Sequence, residues 1–285
     1  MRVSAFLCKV FAVAAVIALT GCAGASGEAA ASAKSSRNAA KAALQKPRLG
    51  SDKLFDLPKR RIQTLAVTGD SLSIGMASEL EKNLSPKPGL AIVKLGRVSS
   101  GLARPEFFDW NRHMETLASK HRPDAVVVML GANDNKRMTV QDGSLVHFGT
   151  REWDRIYKER VRRIVGIIRS HNSAATVFWL GAPVMADEAL SRDLRHINAL
   201  VRKVMASMRD CHYVDTWDLF AAPGGGFAFA KPDVEGGQTL RSRDGVHLTA
   251  AGSQALAARC QGALETRITW DQPGMGKDSP SGKGV

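Results

Sequence analysis

Four short segments of this 285-residue chain carry side chains that could act together. The first is Gly69-Asp70-Ser71. A serine on a tight turn from strand to helix is exposed and sits at a helix N-terminus, where the dipole and free N–H groups favour developing negative charge. Alone, the tripeptide would serve equally well as a helix cap. The second is Arg97-Val98-Ser99-Ser100-Gly101, whose glycine would let a backbone N–H come close to a substrate oxygen or would simply turn the chain. The third is Gly131-Ala132-Asn133-Asp134. The Asn133 amide can donate into the same space, and Asp134 reads as a loop cap. The fourth is Arg243-Asp244-Gly245-Val246-His247. An Asp three residues before a His can fold back and orient the imidazole, which can then take a serine proton. His113, His121, His147, His171, His196 and His212 read as structural or solvated.

These segments are useful only if the fold brings them together. Apolar runs at 62–67, 90–95, 125–130, 176–180 and 212–214 read as strands. Helical spacing marks 73–84, 152–170, 190–208 and 249–268, and Pro105 suits the first turn of a helix reaching about 118. The run at 125–130 is apolar throughout, as a strand buried on both faces should be. Alternating strands and helices imply an α/β fold with a mostly parallel five-stranded sheet and helices on both faces. Such sheets place their sites beyond the carboxyl ends of the strands. The first three segments fall there directly, and the fourth lies in the connection after the last strand.

Taken in order, the four segments resemble the blocks of the SGNH or GDSL-type hydrolases over residues 62–268. The resemblance implies a flavodoxin-like three-layer α/β/α sandwich and esterase, lipase or acyl-transfer activity. By position it makes Ser71 the nucleophile, His247 the general base and Asp244 its orienting carboxylate. The Ser71 N–H, the Gly101 N–H and the Asn133 side chain would form an oxyanion hole. The family's second block often has an Asn shortly before its glycine, and here Arg97 and Ser99 occupy that stretch. Phrases such as 100–105, 108–110 and 179–185 resemble an exported bacterial branch of that family. No metal or organic cofactor is called for, and no zinc-ligand spacing is present.

The ends point to the cell envelope. A basic start with Arg2 and Lys9, an uncharged apolar stretch from 10 to 19 and the sequence Leu19-Thr20-Gly21-Cys22 resemble a bacterial lipoprotein signal. Residues 1–21 would be removed and Cys22 lipidated, anchoring the chain to a membrane. By resemblance to lipoprotein sorting in bacteria with two membranes, Ala23 rather than Asp after the cysteine favours the outer membrane. Residues 22–60 read as a flexible basic linker with the SGNH domain at 61–270, and 271–285 read as a disordered tail. The net charge of +13 lies partly in that linker and suits anionic membrane or wall surfaces. Nucleic acid is a poor partner for an exported chain without a nucleic-acid motif. Cys211 and Cys260 would form one disulfide in an oxidising compartment, or stand as two buried thiols in a strand and a helix.

No long apolar lid is visible, so a water-soluble short-chain ester is expected, with an O-acetyl group on an envelope carbohydrate as the leading substrate. The long connections at 135–151 and 220–242 lie near the expected site. Arg104 and Arg243 could contact an anionic substrate or brace loop carbonyls. Two rival readings use the same residues: a glycan O-acetyltransferase, and a non-catalytic envelope lipoprotein that binds glycan or a partner.

Overall fold

The expected apolar runs pair into one parallel sheet. In the computed structural model, which describes residues 59–87, 89–230 and 238–270, the elements follow in chain order. They are β1 (Arg60–Arg61), β2 (Thr64–Gly69), α1 (Ser71–Leu84), β3 (Ala91–Gly96), α2 (Trp110–His121) and β4 (Ala125–Met129). After these come β5 (Met138–Thr139), β6 (Leu145–Val146), α3 (Arg151–His171), β7 (Thr176–Leu180) and α4 (Glu188–Ala206). The chain then forms β8 (Cys211–Val214), a 3-10 turn (Trp217–Leu219), α5 (Ala250–Arg267) and β9 (Ile268–Thr269). The expected signal segment, Cys22, the linker up to residue 58 and the tail lie outside the described residues.

The main sheet has five strands in the order β3-β2-β4-β7-β8, all parallel. Counted along the chain this is the 2-1-3-4-5 order of flavodoxin-like folds. Strands β4 and β7 are buried at every residue, as layers on both faces require. Helix α1 packs on α5, while α2 packs on α3 and α3 on α4, giving two helical layers around the sheet. The burial follows the sequence. Leu72, Met76, Leu80 and Leu84 of α1 recur at four-residue spacing and are all buried. Helix α3 buries Trp153, Ile156, Tyr157, Val161, Ile164, Val165 and Ile168 on one side.

Two elements differ from expectation. Pro105 lies in a turn in which the Phe107 and Phe108 N–H groups donate to the Arg104 carbonyl. The helix begins only at Trp110, where the Asp109 carboxylate caps the Asn111 and Arg112 N–H groups. The connection at 135–151 contains the small antiparallel hairpin β5–β6. The cysteines are also settled. Cys211 in β8 and Cys260 in α5 are separate free thiols, so the disulfide is not formed. Burial pushes the thiols up to about 11 and about 12, with the charges of Arg169 and Asp210 also acting on Cys211. They behave as small core hydrophobes.

Candidate active site

Ser71 sits where β2 breaks into α1. The break is tied on both sides: the Asp70 N–H donates to the Met129 carbonyl at 3.0 Å, and the Arg97 N–H donates to the Gly69 carbonyl at 2.8 Å. A Cβ at Gly69 would lie 2.1 Å from that Met129 oxygen, so the approach of β4 to the turn before Ser71 requires glycine. Asp70 caps α1, accepting the Leu72 N–H at 3.0 Å through Oδ1. The first residue of the helix is therefore Ser71, and its N–H has no partner among the described residues.

The other three segments reach this point from different parts of the fold. His247 Nε2 lies 3.1 Å from Ser71 Oγ, and His247 Nδ1 lies 2.7 Å from Asp244 Oδ2. The Asp244 carboxylate folds back as its spacing suggests. Oδ1 accepts the N–H groups of Val246 and His247, both at 2.9 Å. The His247 ring and these two N–H groups hold Asp244 down at about 2, so it is ionised at neutral pH. An ionised carboxylate only accepts, so Nδ1 of His247 carries a proton, and in the neutral ring Nε2 faces Ser71 as an acceptor.

Beyond β3 and β4, the Asn133 side chain donates to the Ser100 carbonyl at 3.0 Å, which fixes the amide and leaves its second N–H. Ser99, in the stretch where the resembling family often has Asn, takes a left-handed backbone with φ of 56°, a conformation Asn adopts readily. The Gly101 N–H has no partner among the described residues. Thus Ser71, Gly101 and Asn133 come from the ends of three adjacent strands, β2, β3 and β4. They stand at the point where the order of the sheet reverses, the place at which such sheets bind ligands.

Asp134 is not the local loop cap expected of it. Its fully buried carboxylate crosses to the neighbouring loop, accepting the Ala103 N–H at 2.7 Å and the Tyr157 hydroxyl at 2.8 Å. A Cβ on Gly101 would meet Asp134 Oδ1 at 2.2 Å, so glycine is needed there to make room for this brace. Arg160 Nη1 holds the same loop from outside through the Leu102 and Ala103 carbonyls, at 2.6 and 2.9 Å. Burial raises both carboxylates behind the turn. Asp134 rises above its ordinary range, and Asp70 is pushed up to about 7 by its burial and by the neighbouring charge of Asp134. Tyr157 and Arg160 escaped notice in the sequence because each looks like a helix-face residue; the signal available was the spacing of Trp153, Tyr157 and Val161, which fits a buried face.

The two arginines expected near substrate are placed differently. Arg104 stands with its guanidinium carbon 5.3 Å from the Phe107 ring. Arg243 is exposed beside Asp244, without a hydrogen-bond or ion-pair partner among the described residues. Of the histidines read as structural, His171 pairs with Glu115, His196 pairs with Asp154, and His212 is buried against Phe178. No group of three His, Cys, Asp or Glu side chains arranged to hold a metal occurs among the described residues.

Residues 64–262 match the family described as protein of unknown function (DUF459). The chain belongs to this family. No curated protein matches it. Solved structures share the fold of this DUF459 chain at low identity. A family two carbohydrate esterase from Clostridium thermocellum, solved as an active-site mutant, superimposes with a TM-score of 0.51 at 16% identity, over 74% of this chain and 65% of that one. The periplasmic domain of a lipopolysaccharide acetyltransferase from Salmonella ser. Paratyphi A gives 0.51 at 11% identity, over 73% and 85%. A GDSL-like protein from Bacteroides ovatus gives 0.48 at 13% identity, and this chain spans 54% of its length. The DUF459 domain therefore shares the fold of these proteins, the α/β architecture with a parallel five-stranded sheet expected from its sequence.

Proposed function

We propose that this protein is a serine esterase that hydrolyses short acyl esters, with O-acetyl groups on a cell-envelope glycan as its substrate. The observation that carries the reading is the continuous contact from Ser71 Oγ to His247 Nε2, and from His247 Nδ1 to Asp244. Three side chains from remote parts of the sequence meet in the order that nucleophile, base and orienting carboxylate require.

In the reaction, Ser71 Oγ forms a bond to the ester carbonyl carbon while its proton passes to His247 Nε2. The carbonyl oxygen becomes an oxyanion facing the Ser71 and Gly101 N–H groups and the Asn133 amide. Asp244 stabilises the imidazolium, which then gives its proton to the departing alkoxy oxygen. A water molecule repeats the sequence on the acyl-serine, freeing the acid and restoring Ser71. The exposed setting of His247 and Asp244, each about half accessible, suits an ester carried on a large molecule. If a sugar hydroxyl took the place of that water, the same residues would transfer the acyl group, and the likeness to an acetyltransferase domain supports keeping that second reading. The envelope location and the lipid at Cys22 belong to the same proposal and rest on the sequence of residues 1–22. The complete Ser-His-Asp contact argues against a purely binding role.

The test is turnover of chromogenic short-chain esters and of acetylated glycans by the wild type and by Ser71→Ala. Loss of the serine should lower kcat on the order of 10⁶-fold. Equal activity in both proteins would remove Ser71 from the reaction. Acetyl transfer to a glycan outrunning acetate release would favour the transferase.

A further inference from the structure

The segment carrying Asp244 and His247 is held from behind by a buried charge. Arg241 is fully buried, and its guanidinium carbon lies 5.2 Å from the Phe220 ring and 5.4 Å from the Phe227 ring. Nη2 donates to the Val246 carbonyl at 2.7 Å and to the Gly245 carbonyl at 3.2 Å, with Met185 Sδ at 2.9 Å. Nε and Nη1 are buried too, without hydrogen-bond partners among the described residues. Burying a cation in this way is costly unless its contacts offset the loss of water. Among the described residues the two oxygens that accept from it both lie between Asp244 and His247, and the Phe220 and Phe227 rings and the charge of Asp244 add to the offset.

The two peptide units in that interval are bonded at both ends. In a trans peptide the C=O and N–H point in opposite directions. In the unit joining Gly245 to Val246, the oxygen accepts from Arg241 and the N–H donates to Asp244. In the unit joining Val246 to His247, the oxygen again accepts from Arg241 and the N–H again donates to Asp244. A cation and a carboxylate thus face each other across two peptide dipoles aligned by both. The surrounding bonds, Ser242 N–H to the His247 carbonyl and Thr249 N–H to the Leu240 carbonyl, fix the ends of the segment, and the Ala186 N–H shares the Gly245 carbonyl at 3.0 Å, so the unit whose oxygen depends on Arg241 is the one joining Val246 to His247. Burial lowers Arg241 to about 10, which leaves it charged at neutral pH.

We propose that Arg241 is a positioning residue for the Asp244–His247 pair, clamping the two peptide units between them so that the imidazole stays aimed at Ser71. The inference rests on the esterase reading for its catalytic consequence, but the clamp itself is a property of the segment. Arg241 reaches substrate only through His247. Without it, the carbonyls of Gly245 and Val246 lose their charged partner, the turn gains freedom, and the Nε2–Oγ contact is held for a smaller share of the time. Misplacing a reacting group by about an ångström costs on the order of 10²-fold in rate.

The test compares the wild type, Arg241→Met, which keeps bulk between the phenyl rings, and Arg241→Lys, which keeps charge without a planar fork. Active sites are counted with a phosphonate ester that labels Ser71, and kcat per labelled site and KM are measured on a chromogenic acetate ester. The His247 Nδ1 proton is followed by NMR and assigned by its loss in His247→Gln. We expect kcat per site to fall on the order of 10²-fold in Arg241→Met with KM unchanged, the Nδ1 proton signal to broaden by exchange, and Arg241→Lys to fall between. A folded Arg241→Met protein with wild-type kcat per site and an unchanged Nδ1 signal would show that Arg241 merely fills the core. If Arg241→Met does not fold, wild-type values of both readouts in Arg241→Lys would overturn the proposal. A wild type that neither labels nor turns over esters would refute the esterase reading, while the Nδ1 signal would still decide the clamp.

Discussion

Replacing Asp70 with Asn should make the protein more stable relative to wild type as pH rises. Asp70 is completely buried, and Oδ2 has no hydrogen-bond partner among the described residues. Loss of solvent and the nearby Asp134 raise it from an ordinary value of 3.8 to about 7, against the opposing pull of the Leu72 and Ala132 N–H groups. The folded state therefore keeps a proton that the unfolded chain has already released. Its stabilising contribution is fully present below about pH 3.8 and is lost as pH rises through about 7. A displacement of this size corresponds to on the order of 4 kcal/mol over the whole range, of which roughly 3 falls between pH 5 and 8. The amide of Asp70→Asn would mimic the protonated acid at every pH, keep an oxygen for the Leu72 N–H, and relieve Asp134 of a neighbouring charge, which adds in the same direction. Urea unfolding of both proteins from pH 5 to 8 gives the difference directly, and groups that titrate alike in both cancel. The Asp70→Asn variant should gain on the wild type by roughly 3 kcal/mol across that interval. A difference that stays flat with pH would mean that Asp70 is ionised in the fold, and the account of its burial would be wrong.

Two further outcomes follow from the packing. In Gly101→Ala the new methyl group would meet Asp134 Oδ1 at 2.2 Å and Cγ at 2.8 Å, while Ala103 N–H and the Tyr157 hydroxyl keep that carboxylate from yielding. The loop must shift, so kcat on an acetate ester should fall about 10²–10³-fold, with roughly 1–3 kcal/mol lost in urea unfolding; wild-type turnover would remove Gly101 from the oxyanion hole. Cys211 and Cys260 should resist maleimide in the native protein and both react after unfolding without reductant. A peptide pair linked through them under non-reducing conditions would contradict the structure.

The parts of the site that a sequence can announce are those with local geometry. Ser71, Gly101 and Asn133 each follow an apolar strand of one parallel sheet, and three-residue spacing lets Asp244 reach His247, so type and position sufficed to single them out. The residues that steady them act across the fold. Arg241 and Arg243 stand two apart in one polar stretch, and nothing in their neighbourhood says that the first is enclosed by Phe220 and Phe227 while the second is exposed. Asp134 looked like a turn residue because its partners, Ala103 and Tyr157, lie 31 and 23 positions away. The helix expected from Pro105 failed for a local reason that was readable: Asp109 before Trp110 is the better cap. The two-residue strands of β5 and β6 are too short for alternation to show.

Three carboxylates near Ser71 are sorted by their surroundings into different tasks. An oxyanion forming beside the Ser71 N–H and Asn133 would be opposed by ionised carboxylates at the adjoining positions 70 and 134. Burial works against that outcome at both, and at Asp70 it brings the proton up to about pH 7. Asp244 is half exposed, bonds the His247 ring, accepts two backbone N–H groups and stays charged down to about pH 2. Negative charge is thereby kept on the far side of His247, where in the proposed reaction it would stabilise the imidazolium, and is reduced behind Ser71, where it would repel the transition state. Arg241 faces the segment of Asp244, while Arg160 holds the loop beside Asp134. In the proposed reaction a cation set behind the orienting carboxylate would steady the one charge that is used, whereas at Asp134 the Tyr157 hydroxyl, the Ala103 N–H and the charge of Arg160 offset only part of the burial.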